Sequence, residues 1–458
     1  MDQSTPCDLV FTVRRRQPEL VAPAKPTPRE LKLLSDIDDQ DGFRFQIPLI
    51  HFYPSQASMA GKDPAHTIKT ALAQTLVYYY PLAGRLREAP ARKLLVDCSA
   101  QGVLFVEADA DVTLAQFGHL QPPFPCFQQL LYKLPGSEGI INCPLLHIQV
   151  TRLKCGGFIF AVNVNHTMCD APGFVQFLEA LAEIARGASQ PSILPVWRRE
   201  VLNARDPPRV TCTHYEYEQV AVPSDDDDSE DTVQRSFFFG PTEVAAIRQL
   251  VPHHLRHQCT KFELLTAFLW RCRTIALQLQ PNDDVRFMCI MNARGKTKGG
   301  LEIPEGYYGN AFVYPAAVTS AGKLCERPLG YALELVRKAK GMVSEEYVHS
   351  VIDLMVIKGR PCYTTARSWL VSDLTHFGFG DVDFGWGKAV YGGPANAGLG
   401  SNPGVSFYVA TINAKGEEGI VVPIRLPSKA MKRFAKELDD VVKICNNNQG
   451  STVINSSL

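Results

Sequence analysis

The segment FIFAVNVNHTMCDAPGFVQFLEALAEI, residues 158–184, joins a strand pattern directly to a helix pattern. In its first half, alternate side chains point to the same side of an extended chain. One such face carries Phe158, Phe160, Val162, Val164 and His166. In its second half, apolar residues recur at helical spacing, at Phe174, Phe177, Leu178, Leu181 and Ile184. The segment therefore predicts a buried strand, a short loop and an amphipathic helix, with His166 where the strand ends.

The position of His166 suits a side chain that faces a cleft while its backbone is held rigidly. A neutral imidazole, with an ordinary pKa of about 6.5, can take a proton from a hydroxyl group near neutral pH. Taken alone, a histidine that ends a strand is more often a packed structural residue. Asp170, four residues further on, changes this balance only modestly, because His-x-x-x-Asp is a common chance pattern. The pattern alone leaves the catalytic and the structural readings open.

Further strand and helix patterns surround this segment on both sides. A helix pattern begins at residue 64 and stops before Pro81, and strands are predicted at 94–98, 102–109 and within 147–166. From residue 236 onward, a second pattern predicts helices at 242–251, 260–279, 328–345 and 428–445, and strands at 285–291, 405–412 and 419–424. Since 458 residues are too many for one ordinary core, we expect two similar α+β domains, residues 1–200 and 236–458, with a ligand in the cleft between them.

Residues 201–235 are predicted to be the linker between these domains. They contain the acidic block SDDDDSED at 224–231, which is most often a solvated loop. The alternative, a metal-binding cluster, lacks the glycine and the spaced ligands of a calcium loop. His253, His254 and His257 have no suitably spaced cysteine or carboxylate for zinc. The sequence therefore predicts no metal site.

Composition argues against several classes of protein. Lys plus Arg and Asp plus Glu each total 47, so the zero net charge favours neither nucleic acid nor an anionic membrane as partner. No apolar run approaches the roughly 18 residues of a membrane span, and the N-terminus is unlike a secretory signal. The thirteen cysteines are scattered singly, as in an intracellular protein with reduced thiols. We expect a cytoplasmic monomer, or a peroxisomal one because the tail Ser456-Ser457-Leu458 differs from S-K-L at one position.

Two motifs together resemble one known family. His166-Thr167-Met168-Cys169-Asp170 looks like the HxxxD signature of the BAHD acyltransferases, and Asp383-Phe384-Gly385-Trp386-Gly387 matches their rarer DFGWG signature. The likeness covers about residues 8–445 and includes, in order, the segments Tyr80-Pro81-Leu82-Ala83-Gly84-Arg85, Asn292-Ala293-Arg294 and Gly306-Tyr307-Tyr308-Gly309-Asn310. The resemblance implies two chloramphenicol-acetyltransferase-like domains with a channel between them. It also implies transfer of an acyl group from acyl-CoA to an alcohol in a ternary complex, without an acyl-enzyme.

The resemblance implies a role for each motif. His166 would be the general base, reached by CoA from one side and by the alcohol from the other. Asp170 would hold the loop through an arginine, the alternative being that it orients His166. Asp383, Gly385, Trp386 and Gly387 would form a scaffold, with Asp383 paired to Arg294.

Other candidate residues follow from the same resemblance. Ser368 and Trp369 would lie at the reacting centre, where the Trp369 ring N–H could stabilise the oxyanion. A core tryptophan is the alternative, and Arg367 stands where relatives often carry a small hydroxyl residue. Thr260 and Lys261 would line the CoA channel, although Thr260 is equally suited to a plain helix N-cap.

The substrates are suggested by a branch of the family. The segments at 13–54 and 369–398 resemble the alcohol acyltransferases that include benzyl alcohol O-benzoyltransferases. We therefore expect benzoyl-CoA and benzyl alcohol as substrates, with acetyl-CoA and short alcohols as the near alternative. A thioesterase or a non-catalytic CoA-binding protein are the remote alternatives. Neither a dinucleotide-binding GxGxxG nor a nucleotide-binding P-loop is present in the sequence.

Overall fold

The computed structural model describes residues 9–137, 139–220, 231–295, 301–398, 402, 404–413 and 415–452, and beyond residue 440 it describes the backbone alone. Most of the predicted acidic block and the C-terminal tripeptide lie outside the described residues. Within the described residues, no helix combines the length and the apolar character needed to cross a membrane.

Eighteen strands are found among the described residues. In chain order they are β1 (Val13–Arg15), β2 (Glu19–Val21), β3 (Leu31–Leu33), β4 (Gln46–Tyr53), β5 (Arg85–Glu88), β6 (Leu94–Asp97), β7 (Val103–Ala110), β8 (Leu146–Leu153), β9 (Phe158–Asn165), β10 (Thr232–Phe239), β11 (Asp284–Cys289), β12 (Met291–Asn292), β13 (Phe312–Val313), β14 (Ala316–Ser320), β15 (Ser368–Asp373), β16 (Tyr391–Pro394), β17 (Val405–Ile412) and β18 (Glu418–Pro427).

Ten α-helices accompany these strands in the same part of the chain. They are α1 (Pro64–Tyr78), α2 (Phe127–Leu130), α3 (Ala171–Ala185), α4 (Pro241–Gln249), α5 (His253–Arg256), α6 (Lys261–Leu277), α7 (Ala321–Glu326), α8 (Leu329–Gly341), α9 (Glu345–Ile357) and α10 (Ser428–Thr452). The α+β class predicted from the sequence is therefore confirmed. Helix α9 was not predicted as a separate element.

The first large sheet has the order β1-β7-β8-β9-β4-β16, with β2 also pairing with β7. All its strands come from the first half of the chain except β16, which pairs antiparallel with β4. Helices α1 and α3 pack against each other beside this sheet. A strand from the second half of the chain thus completes the first sheet and ties the two halves together.

The second large sheet has the order β10-β18-β17-β15-β11-β14. Strand β15 runs parallel to both of its neighbours, β11 and β17. The strand β10 begins at Thr232, inside the range predicted as linker. The domain boundaries 1–200 and 236–458 stay a prediction. Strand β16 belongs to the second of these ranges but pairs with β4 in the first sheet, so each range does not form a sheet of its own.

The buried side chains form two apolar clusters. One cluster lies entirely within residues 237–438, around the second sheet and its helices. The other surrounds the first sheet and also takes in residues of the second half, including Phe312, Leu370 and Phe407. The boundary between the sheets is therefore a place where side chains from both halves meet.

Candidate active site

His166 follows the last residue of β9 and lies among three aromatic rings. The Phe43 ring stacks on the imidazole with a centroid distance of 4.7 Å and an interplanar angle of 8°. Phe45 meets it edge-on at 5.4 Å, and Phe312 lies 6.0 Å away. The side chain is only 9% exposed. The ring is thus held in one orientation by apolar packing.

Burial also sets the protonation state of His166. Removal from water lowers the pKa of the imidazole below its ordinary value, and the negative charge of Asp170 opposes this only in part. The buried Nδ1 atom has no hydrogen-bond partner among the described residues. The lowered pKa keeps the ring neutral near pH 7, and a neutral imidazole has one nitrogen that can accept a proton.

Asp170 is the N-cap of α3 and makes no hydrogen bond to His166. Its carboxylate accepts from the Gly173 amide at 3.0 Å and from the Ala311 amide at 2.9 Å. Both of its oxygens also accept from Arg294, at 2.6 and 3.0 Å. The expected contact with an arginine is thus present, and nothing in this geometry supports an orienting role toward the imidazole.

The prediction that Arg294 pairs with Asp383 is wrong. Arg294 pairs with Asp170 and also donates to the Gly309 carbonyl. Asp383 instead accepts from the Gly385 and Gly387 amides at 2.7 and 2.8 Å. The Asp383 carboxylate is thus already hydrogen-bonded within its own turn and does not require a cation from elsewhere in the chain.

The backbone of the loop after His166 is held by a buried polar network. Asp38 accepts from the Arg199 guanidinium at 2.8 and 2.9 Å and from the Asn310 side chain at 2.8 Å. Arg199 in turn donates to the Met168 carbonyl at 2.7 Å, and Asn310 donates to the His166 carbonyl at 2.7 Å. Both ends of the loop are therefore fixed to one fully buried carboxylate.

Close backbone approaches support the same loop. A Cβ atom at Gly173 would lie 2.1 Å from the Tyr308 carbonyl oxygen, and one at Gly309 would lie 1.8 Å from Arg199. Only glycine fits at either position. Helix α3 and the segment around Tyr308 can therefore approach closely enough to enclose the loop.

His166 opens onto a cavity of about 160 Å³ between the two halves of the chain, which we call the aromatic cavity. Its lining includes residues of β4, the loop 166–170, the first turn of α3, β15 and β17. Seven phenylalanines line it: Phe43, Phe45, Phe174, Phe312, Phe377, Phe379 and Phe407. No lysine or arginine among the described residues lines the cavity. Apart from the carboxylates of Asp170 and Asp373, the lining is mainly apolar, which suits neutral, apolar groups.

Cys169 also lines the aromatic cavity but is unsuited to act as a nucleophile. Burial raises the pKa of its thiol well above the ordinary value, so it stays protonated. His166 supplies the imidazole of the lining, whereas Asp170 is held by its ion pair with Arg294 and Asp373 accepts from the amide and the hydroxyl of Thr375.

The DFGWG turn lies at the other end of β9. The Trp386 ring packs edge-on against Phe158, the first residue of β9, at 5.3 Å. Phe384 is fully buried and packs against Phe160 at 5.2 Å. Gly385 and Gly387 have φ values of 110° and 84°, which favour glycine. The turn is a packed element away from the aromatic cavity, and its scaffold role stays our interpretation.

Trp369 does not occupy the position that the resemblance implied. It is buried in the second apolar cluster, and its ring N–H donates to the Ser406 hydroxyl at 3.0 Å. The Ser368 hydroxyl donates to the Ala366 carbonyl at 3.1 Å. Neither residue lines the aromatic cavity. The prediction of Trp369 as the oxyanion donor is therefore wrong for this geometry, because its only donor is already used.

Thr260 caps helix α6, and Lys261 is the first residue of that helix. The Thr260 hydroxyl accepts from the Glu263 amide at 3.2 Å while the Glu263 carboxylate accepts from the Thr260 amide at 3.1 Å. This reciprocal pair is a capping box. Lys261 has an exposed side chain. Neither residue lines the aromatic cavity, so any role in binding CoA lies further from the reacting atoms.

His253, His254 and His257 lie at or next to the short helix α5. Within the described ranges, no group of three or more His, Cys, Asp or Glu side chains could hold a metal ion.

Sequence reasoning missed several residues of the site. Asp38 and Arg199 lie far apart in the chain, and a buried ion pair between them leaves no periodic signal. Phe43 and Phe45 lie in an irregular segment, where hydrophobic pattern does not predict what they face. Asn310 lies in a segment that resembled the family, and that resemblance could have singled it out.

Comparisons with known proteins agree with this geometry. The model of the Transferase family matches residues 11–441. Benzyl alcohol O-benzoyltransferase of Petunia hybrida is 63% identical, covering 97% of this chain and 96% of the relative. Alcohol acyl transferase 1 allele GSa of Malus domestica is 53% identical, covering 97% of this chain and 98% of the relative.

A solved structure supports the fold. Vinorine synthase superposes with a TM-score of 0.72 at 21% identity, covering 94% of this chain and 98% of that protein. At this identity the likeness concerns the fold alone. The chain belongs to the matched transferase family, that of the BAHD acyltransferases. It is an acyltransferase that uses an acyl-CoA as co-substrate.

Proposed function

We propose that the protein transfers an acyl group from CoA to an alcohol with His166 as general base, and that benzoyl-CoA and benzyl alcohol are its preferred substrates. The observation that carries this proposal is a neutral, buried imidazole on the wall of an aromatic cavity between the two halves of the chain. The product is an ester, here benzyl benzoate, together with free CoA.

The proposed step needs one group that takes and returns a proton. The imidazole takes the hydroxyl proton as the alcohol oxygen attacks the thioester carbon, giving a tetrahedral oxyanion. The carbon–sulfur bond then breaks, and the imidazolium returns the proton to the departing sulfur. The stacked ring of Phe43 and the tilted ring of Phe312 keep water away from the imidazole and fix its direction.

The lining of the aromatic cavity supports an apolar acyl group and an apolar alcohol. Phenyl rings favour edge and offset contacts with other rings, which seven phenylalanines offer here. The identities with benzyl alcohol O-benzoyltransferase and with alcohol acyl transferase support the same choice. One methylene in an apolar pocket changes the free energy of transition-state binding by only about 1–3 kcal/mol. We therefore expect acetyl-CoA and other donors to be accepted as well, at lower rates than benzoyl-CoA.

CoA itself is proposed to pass near the start of helix α6. Lys261, with its exposed ammonium, is the proposed contact for a CoA phosphate, and Thr260 lies beside it. We expect Lys261→Ala to raise the KM for benzoyl-CoA about two- to five-fold, as for one exposed ion pair. A steady-state assay at fixed benzyl alcohol measures this, and an unchanged KM would move the CoA path elsewhere. We further propose a monomer that works in the cytoplasm or the peroxisome.

The function is tested with purified protein, benzoyl-CoA and a panel of alcohols. CoA release and ester mass are followed together. We expect benzyl benzoate in step with CoA release. Benzoate released without an alcohol would instead indicate a thioesterase, and CoA binding without turnover would indicate a non-catalytic CoA-binding protein.

A further inference from the structure

A second cavity, of about 430 Å³, adjoins the aromatic cavity, and we call it the polar cavity. Leu374, Phe377 and Phe379 line both cavities. They belong to the segment that leads from strand β15 to the DFGWG turn. The three side chains therefore form a partition between a polar space and the apolar space that contains His166.

The charges around the polar cavity do not suit CoA. Glu179 and Asp381 line it, together with Thr375 and His376, and no lysine or arginine is among the described lining residues. Burial, with the charges of Glu183 and Asp381, raises the pKa of Glu179. Phosphates bind where cations or free amides are available, and carboxylates repel them. The polar cavity thus suits a small uncharged molecule that can form hydrogen bonds.

Of the three partition residues, Phe377 is the least constrained. Leu374 is buried and its amide donates to the Tyr408 carbonyl at 2.9 Å. Phe379 is buried, with its ring centroid 6.3 Å from that of His51. Phe377 is half-buried, contacts no other aromatic ring among the described residues, and precedes Gly378 at φ 76°. Its side chain can therefore change position at lower cost than its two neighbours.

We propose that the alcohol reaches His166 through the polar cavity and that Phe377 sets the size of the alcohol that passes. The inference rests on the proposed function, since it assumes an alcohol as acceptor. A hydroxyl group is solvated by Thr375 and by the backbone of the polar cavity before its apolar part crosses the partition. The acyl-CoA approaches from another side.

The proposed role of Phe377 in selecting alcohols by size is tested with Phe377→Ala and Phe377→Trp. Each variant is assayed with benzyl alcohol and with bulkier 4-phenylbenzyl alcohol at saturating benzoyl-CoA. The measured quantity is the ratio of kcat/KM for the bulky alcohol to kcat/KM for benzyl alcohol. We expect Phe377→Ala to raise this ratio at least about 10-fold and Phe377→Trp to lower it, in line with apolar pocket discrimination.

Phe127→Ala is the matched control, because Phe127 is also a partly buried ring packed against the first apolar cluster but lines neither cavity. It should leave the ratio unchanged. An unchanged ratio in both Phe377 variants, or a shift in the KM for benzoyl-CoA without a shift in the ratio, would overturn the proposal. If the unmodified protein esterifies no alcohol, the proposed function itself fails, and that result is seen before any variant is made.

The passage of the alcohol beside the negative charge of Glu179 is tested with 4-(hydroxymethyl)benzoate, an alcohol that carries a carboxylate. Its kcat/KM relative to benzyl alcohol should rise about three-fold in Glu179→Gln, the size expected for removing one partly screened charge. Glu334→Gln, on the exposed face of α8, is the control. An equal ratio in Glu179→Gln and in the unmodified protein would show that the acceptor does not pass Glu179, which contradicts the proposed route.

Discussion

The loop at 166–170 and the turn at 383–387 lie at opposite ends of the same strand, β9. The loop follows Asn165, whereas the turn packs on Phe158. Eight residues of extended chain separate them by roughly 25 Å. The two signature motifs of this chain are therefore supported by one buried strand but cannot act on the same substrate atom.

The two regions also differ in how their polar groups are satisfied. The DFGWG carboxylate at Asp383 is occupied by two amides of its own turn, and the aromatic side chains of the turn are buried. At the other end, the ring of His166 forms part of the wall of a cavity. A satisfied and packed motif maintains shape, while a titratable group on a cavity wall is available for chemistry. This difference supports our proposal that the turn contributes stability and the loop contributes catalysis.

The largest stability effect is expected at the network behind the loop. Arg199→Met leaves Asp38 buried without its cation, which costs about 3–5 kcal/mol. Chemical denaturation measures this loss. Arg198→Met, at the neighbouring and 61% exposed side chain, is the control and should cost less than about 0.5 kcal/mol. Equal losses in the two variants would show that the ion pair does not hold the loop.

The turn is expected to affect stability more than chemistry. Asp383→Ala leaves the Gly385 and Gly387 amides without their acceptor, and we expect a loss of about 1–3 kcal/mol. Turnover per folded molecule should fall by less than about 10-fold. Thermal unfolding and a turnover assay on the same sample measure both quantities. A stable variant without turnover would place the turn in the catalytic machinery and end the contrast.

The pH dependence of kcat/KM tests the proposed role of His166 as general base. The neutral form of His166 is the proposed base, and burial lowers its pKa below about 6.5. The rate should therefore be constant from pH 7 to pH 8 and fall as pH drops through the lowered pKa, about tenfold per unit. A profile that bends above pH 7 would mean that the imidazole is not desolvated as its packing indicates.

The smallest effect is expected at the start of helix α6. Thr260→Ala removes the N-cap acceptor of the Glu263 amide and should cost about 1 kcal/mol. Thr260→Ser keeps the hydroxyl and should restore most of the loss, as measured by chemical denaturation. If serine were no better than alanine, the capping box would not explain the choice of threonine.

Much of the fold could be predicted because local pattern determines it. Strand β9 and helix α3 follow directly from alternating and helical spacing in residues 158–184. The pairing of β16 with β4 could not be predicted, because a four-residue strand with two glycines carries no strong pattern. Partners that are far apart in sequence are fixed by tertiary packing, which a single sequence does not record.

The sequence motif led to His166, which lies on the wall of a cavity, and its catalytic role stays a prediction. The predicted hydrogen-bond partners of Arg294 and Trp369 were wrong. The pairing of Arg294 and the use of the Trp369 ring N–H depend on which acceptor lies nearest in space. Arg294 and Asp170 are 124 residues apart. Motif spacing names the residue types that are present, but it does not say which atoms face each other.

His166→Ala tests the central claim most directly, with turnover and CoA binding measured on the same purified protein. We expect turnover per folded molecule to fall at least about 10²-fold while CoA binding stays close to that of the unmodified protein. His254→Ala, at an exposed histidine, should change neither quantity. Turnover retained in His166→Ala would contradict the account, because the proton would then be taken by another group such as Asp373, which also lines the aromatic cavity.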